Sequence, residues 1–328
     1  MSNRFNNKRL LFLLAGLIAI LVLTVIVKVP KENATIKSKI VDLDTVSVSR
    51  IILYPKVGNG KEIEFNRNNN KWTVKQGSII SATHEGAVPN ILNDVVNMKP
   101  QSLAAVNKSK WKEFELTDSL ATRIKFLDKN GKNLADIMMG KFSFKQADNP
   151  YGSYGGSNVK VTSYVRIYSE KEIYAVDGFL AYSLSMKFDD WRDNTFLRFN
   201  NNNDITGIRL ILPADSSYSL SRKDSAWFIG LQKADSSSVA NYLNSLKLLD
   251  GQNFKDNYKP VLNPTYQMLL EGNNLLSITV KCYKGDGPDE YILNSSLNPD
   301  VYFISAKKGI FEKVFKPQNS FFKQIKTK

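Results

Sequence analysis

The chain repeats one pattern twice, and that self-similarity restricts its fold more than any single motif. Val48-x-x-Ile51-x-Leu53 returns as Ile205-x-x-Ile208-x-Leu210. Ile63-x-Phe65-x-Arg67 with Trp72 returns as Tyr218-x-Leu220-x-Arg222 with Trp227. Val88-Pro-Asn90-Ile-Leu92-Asn93 matches Val239-Ala-Asn241-Tyr-Leu243-Asn244. Arg123-Ile-Lys125-Phe126 then answers Thr279-Val-Lys281-Cys282, and Tyr164-Val-Arg-Ile167 with Ile173-Tyr174 answers Val301-Tyr-Phe-Ile304 with Ile310-Phe311. Five landmarks in one order predict a tandem duplication over 46–199 and 204–325, joined at Asn200–Asn203.

Each copy reads alike. Segments alternating with period two around Gly58-Asn59-Gly60 predict a β-hairpin. Trp72 and Trp227 close a strand at matching places, so both are expected to pack structurally in a core. Val88, Ile91, Leu92, Val95 and Val96 keep helical spacing, as do Val239, Leu243, Leu246 and Leu249, with Asp235-Ser236 as cap of the second helix. Further hairpin turns are expected at Asp128–Gly131 and Lys284–Gly287. The expected class is α+β: an N-terminal transmembrane helix followed by duplicated units of antiparallel sheet plus helix.

Leu10–Val27 holds eighteen residues without a charge, and Val29 extends the run. At about 1.5 Å per residue this roughly matches a hydrocarbon core of about 30 Å. The run ends in Val-Ile-Val-Lys-Val-Pro, which offers no small-residue cleavage site, and no cysteine follows for lipidation. The organisation expected is a cytoplasmic tail 1–9, a transmembrane anchor 10–29, a linker 30–45 and the two copies. Basic residues flank the run on both sides, so the short tail decides the orientation, with the body outside. Of the net charge of +14, +6 sits beside the run, where it suits anionic headgroups. The remainder is spread thinly over the body and does not indicate nucleic acid.

Cys282 is the only cysteine and His84 the only histidine. Intramolecular disulfides and cysteine-rich metal sites are thereby excluded, and any catalytic triad would have to use His84, which is expected to be a solvated residue ahead of the first helix. No cofactor, metal site or catalytic residue is expected, although a hydrolase using only carboxylates survives this filter. Asp189-Asp190-Trp191-Arg192-Asp193 has no calcium-loop pattern around it, so a buried Trp191 and an Arg192 paired to neighbouring acids are expected, both structural. The most distinctive loop is Asp148–Asn158, rich in tyrosine and glycine, where the second copy has only Asn294–Pro299. Tyr151, Tyr154, Gly155 and Gly156 are the candidate partner-binding residues, because long loops in compact domains often carry function.

The Arg67-x-x-x-x-Trp72 element, the Val88-x-x-x-Leu92-x-x-Val95 helix, the Tyr164-Val-Arg-Ile167 and Ile173-Tyr-Ala-Val176 strands and the Trp191-Arg-Asp-Asn-Thr-Phe-Leu197 end resemble a bacterial family of unknown function, DUF4340, best over about 45–200. The resemblance implies an N-terminally anchored protein whose genes lie beside those of a gliding-motility-type ABC transporter. The expected function is therefore a non-enzymatic, extracytoplasmic accessory protein of an ABC-transporter-associated envelope complex. Its partners would be the bilayer of the bacterial inner membrane, from which it projects into the periplasm, and the transporter's membrane subunits. The alternative is a module binding envelope glycan, peptide or lipid in a cleft between the copies.

Overall fold

The computed structural model describes residues 14, 16, 17, 37–57, 60–146 and 159–323. Strands dominate these residues. They are β1 (Arg50–Tyr54), β2 (Ile63–Asn68), β3 (Lys71–Gln76), β4 (Ile79–Ala82), β5 (Pro100–Ala105), β6 (Thr122–Leu127), β7 (Asn133–Gln146), β8 (Val159–Ile167), β9 (Ile173–Asp177) and β10 (Thr195–Arg198). The second half adds β11 (Ile205–Ile211), β12 (Tyr218–Lys223), β13 (Ala226–Ile229), β14 (Gln232–Lys233), β15 (Leu248–Asp250), β16 (Asn253–Phe254), β17 (Tyr266–Gly272), β18 (Ile278–Lys284), β19 (Glu290–Ser295) and β20 (Asn298–Ala306). The α-helices are short: α1 (Ala87–Val96), α2 (Leu180–Ser183), α3 (Ser236–Leu246) and α4 (Glu312–Val314).

The expected α+β class with a transmembrane helix is thus corrected to a mostly antiparallel β architecture. The helices predicted from apolar spacing are present as α1 and α3, but each makes only about three turns, and strands paired in sheets hold far more of the described residues. No helix among the described residues is long and apolar enough to cross a membrane. The predicted anchor 10–29 lies outside the described residues except for Leu14, Gly16 and Leu17.

The chain divides into two compact units. The first comprises, of the described residues from position 37 on, 37–43, 95–121 and 136–181. Its strands run in the order β7-β8-β9-β5. Leu116, Ala121, Met138 and Ile173 form a small core, with Trp111, Phe114 and Tyr164 against it. Arg166 is buried here: it lies over the Trp111 ring at 3.7 Å and donates to the carbonyls of Leu116 at 3.1 Å and Tyr168 at 2.8 Å. Gly140 admits the Phe114 carbonyl, which accepts from the Lys141 N–H at 3.0 Å; a Cβ at Gly140 would lie 2.0 Å from that oxygen. Lys37 pairs with Glu170 at 2.7 Å, and that hydrogen bond raises the Lys37 pKa.

The second unit comprises 44–94, 122–135 and 182–323. It contains the strand run β4-β3-β2-β1-β6, the pair β10-β15 and the nine-stranded order β14-β13-β12-β11-β17-β18-β19-β20-β16. Its large core gathers Phe196, Leu220, Trp227, Leu243, Phe303 and Phe321 among others. Asp235 caps α3 by accepting the Ser238 N–H at 2.9 Å, which holds its carboxyl below the usual range.

Strand for strand, β4-β3-β2-β1-β6 has the order of β14-β13-β12-β11-β17, and β7-β8-β9-β5 that of β18-β19-β20-β16. Register agrees too: Arg67 faces Trp72 as Arg222 faces Trp227, and Ile51 faces Phe65 as Ile208 faces Leu220. The Trp72 carbonyl accepts from Thr83 N–H and that of Trp227 from Ala234 N–H. Two landmarks shift, however. The equivalent of β6 is β17, because Ile51 faces Phe126 where Ile208 faces Leu270. Arg123–Phe126 therefore does not answer Thr279–Cys282, and by the same order Tyr164–Ile167 on β8 answers β19, not Val301–Ile304 on β20. The β7–β8 connection accordingly corresponds to the turn at Gly285–Asp289, not to Asn294–Pro299.

Candidate functional site

Within the second unit an open cleft of about 1460 Å3 is lined by residues drawn from three parts of the chain: Asn70–Trp72 with Ala82–Gly86, Tyr182–Arg198, and Asp250–Phe254. Backbone pairing joins the first two. Thr83 bridges Arg192, Asp193 N–H donates to the Ala82 carbonyl at 2.8 Å, and His84 N–H donates to the Trp191 carbonyl at 3.1 Å. The third is tied on by Gly251 N–H, which donates to the Asn194 carbonyl at 2.7 Å. Gly251 is required there, since a Cβ would meet the Phe303 ring at 2.1 Å.

Two carboxylates shape the turn. Asp190 accepts the Lys187 N–H and Asp193 accepts the Thr195 N–H, each at 2.9 Å. Beneath them Arg192 is only 4% exposed. It donates to Asp189 at 2.9 Å and to both oxygens of Asp256 at 2.6 and 3.2 Å, with the Phe254 ring 3.7 Å from the guanidinium carbon. Among the described residues, its Nε and the Trp191 Nε1 are buried without a hydrogen-bond partner. Arg198 pairs with Asp250 at 2.6 Å on the cleft surface. His84 holds its Nδ1 2.8 Å from the Glu85 carbonyl, so that nitrogen is the donor. The cleft thus spends much of its charge on its own ion pairs and turns, and presents the half-buried Trp72 and the exposed Tyr182 to solvent. Such a surface suits a ligand with ring faces and hydroxyl or amide groups.

Of the residues singled out from sequence, Trp72 and Arg192 line this cleft and Trp191 lies behind it, edge-on to Phe65 at 5.4 Å. Trp227 is buried in the core of the second unit instead. Trp72 is only half-buried, so the expected equivalence of the two tryptophans holds for register but not for environment. Tyr151, Tyr154, Gly155 and Gly156 lie outside the described residues. Sequence reasoning missed Asp256, Phe254 and Tyr182. Asp256 stands 64 residues from Arg192, and no local pattern connects them. Among the described residues there is no group of three or more His, Cys, Asp or Glu side chains placed to hold a metal ion.

Neither a curated protein nor a solved structure matches the chain. A family model does, over residues 82–266, more than half of the 328 residues. The match starts beyond the Arg67–Trp72 hairpin and runs through α3 into β17, so it lies further along the chain than the resemblance read from sequence. The protein belongs to the family described as Domain of unknown function (DUF4340).

Proposed function

We propose that this protein is a non-enzymatic accessory component of an ABC-transporter-associated bacterial envelope complex, attached to the inner membrane through its apolar 10–29 stretch with its body on the periplasmic side. In this reading the body arose by tandem duplication, and the cleft holds an envelope glycan or a similar polar, ring-bearing ligand. One observation supports the binding role above the rest: Trp72 stays half-buried at the cleft wall while its twin Trp227 is buried. An aromatic ring kept partly in water beside paired carboxylates and guanidiniums offers a stacking face together with hydrogen-bonding groups. The transporter association rests on the family resemblance.

The test titrates full-length protein in detergent with muropeptides, reading tryptophan fluorescence. Trp72→Ala is expected to weaken binding by roughly tenfold, equivalent to about 1.4 kcal/mol, without loss of the cooperative melt. Equal affinity in wild type and variant would remove the cleft from the function. Co-purification of transporter membrane subunits from solubilised membranes tests the complex.

A further inference from the structure

We propose that the β7–β8 hairpin of the first unit docks on an anionic lipid surface. Register gives the hairpin two chemically distinct faces. Phe144 lies opposite Val161 and Phe142 opposite Ser163, so successive residues of one face are phenyl groups and a valine. Phe144 is 70% exposed, Val159 48% and Phe142 41%. Phe179, just past β9 and 48% exposed, extends the patch by meeting Phe142 edge-to-face at 5.5 Å. Clustered phenyl groups left in water mark a contact surface, because their burial elsewhere would be favourable.

The other face supplies the charge complementarity. Lys145 stands directly opposite Lys160, with Ser143 opposite Thr162 behind them. Lys160 is exposed, and two lysines at one register position make this end of the hairpin electropositive, which an anionic partner neutralises. Aromatic groups on one face and lysines on the other of a narrow two-stranded element match the boundary of a bilayer carrying anionic headgroups, where rings enter the interface and long lysine stems let ammonium groups reach phosphates.

Reach is compatible with this contact, on the attachment of residues 10–29 proposed above. Residues 29 to 37 span at most about 28 Å when extended. Lys37 is held by Glu170, in the turn after β8. From Ile167 back to Val161 the strand covers about 20 Å. The tether is therefore long enough for the hairpin to lie against the surface from which the chain emerges.

The experiment reconstitutes the full chain in vesicles of phosphatidylglycerol or of phosphatidylcholine, with a polarity-sensitive dye on Val159→Cys and, as reference, on Leu231→Cys, whose native side chain is 98% exposed. Buried Cys282 stays unlabelled. Flotation reads the attachment of the chain; the dye reads the hairpin. The expected result is flotation with both lipids and a blue shift at position 159 only with phosphatidylglycerol. That shift should fall at least about threefold with Lys145→Glu plus Lys160→Glu, and likewise with Phe142→Ser plus Phe144→Ser, at unchanged melting temperature. Flotation without a shift at 159 overturns the hairpin contact and leaves the attachment standing. A shift equal in both lipids and indifferent to charge reversal overturns the anionic surface. A shift that needs added envelope proteins replaces the lipid with a protein partner. Absence of flotation overturns both readings.

Discussion

Arg192 holds Asp256 with both terminal nitrogens, at 3.2 and 2.6 Å, and the Phe254 ring covers one face of the guanidinium. A charge this buried tolerates no loss of its strongest partner, because Asp189 makes one further contact from a mostly exposed position. Asp256→Asn is expected to cost about 3 kcal/mol in urea unfolding. Replacing the pair together, Arg192→Met with Asp256→Leu, is expected to cost less than the single change, since no charge is then left unpaired.

The two tryptophans should separate in stability as they do in exposure. Trp227→Ala empties a position in the main core and is expected to cost about 3–5 kcal/mol. Trp72→Ala removes a half-buried ring at the cleft wall and should cost at most about half as much. Chemical denaturation of both variants measures the difference.

Gly140→Ala places a methyl group against the Phe114 carbonyl, a backbone atom that cannot rotate away, and against the Leu116 side chain. The expected loss is about 2 kcal/mol, read as a lower midpoint in thermal or urea unfolding.

Burial pushes the Cys282 thiol up to about 12 from 9.0. The folded state therefore favours the protonated thiol. This contribution is fully present below about pH 9 and is lost as pH rises towards 12, because the unfolded chain releases the proton first. At neutral pH Ellman's reagent should react with Cys282 only after denaturant is added. Cys282→Ala should flatten the alkaline end of the stability profile.

Much of the first half of each copy is legible in sequence because its signals are unlike one another. A hairpin with a fixed Arg–Trp spacing, followed by apolar residues at helical spacing, has no second alignment, and β2, β3 and α1 fall where those residues indicate. The second half of each copy is successive alternating strands, and alternation has the same period in every strand. Sliding the match by one strand keeps its apolar positions in phase, which is how Arg123–Phe126 came to face Thr279–Cys282. The Arg192 node was half legible: Asp189 is three residues away, whereas Asp256 is joined only by the tertiary fold. Residues 253–254 are too short a strand to leave a periodic trace, yet they bring Phe254 to the guanidinium. The share of helix was overestimated because ten or eleven residues of clear helical spacing weigh more in reading than in the chain.

The pairing of β5 with β9 carries a cost in time. Leu103 must find Tyr174, and Asn253 must find Ile304, so each closure waits on strands that leave the ribosome well afterwards. At roughly 5–20 residues per second, β5 exists for about 4–14 s before β9 has been synthesised. During that interval its backbone groups lack the strand they pair with in the fold. Pro100, at the start of β5, removes one N–H from the exposed edge and so weakens it as a template for stray strands. Sheets closed by such distant partners fold on the slow side of the range for their size.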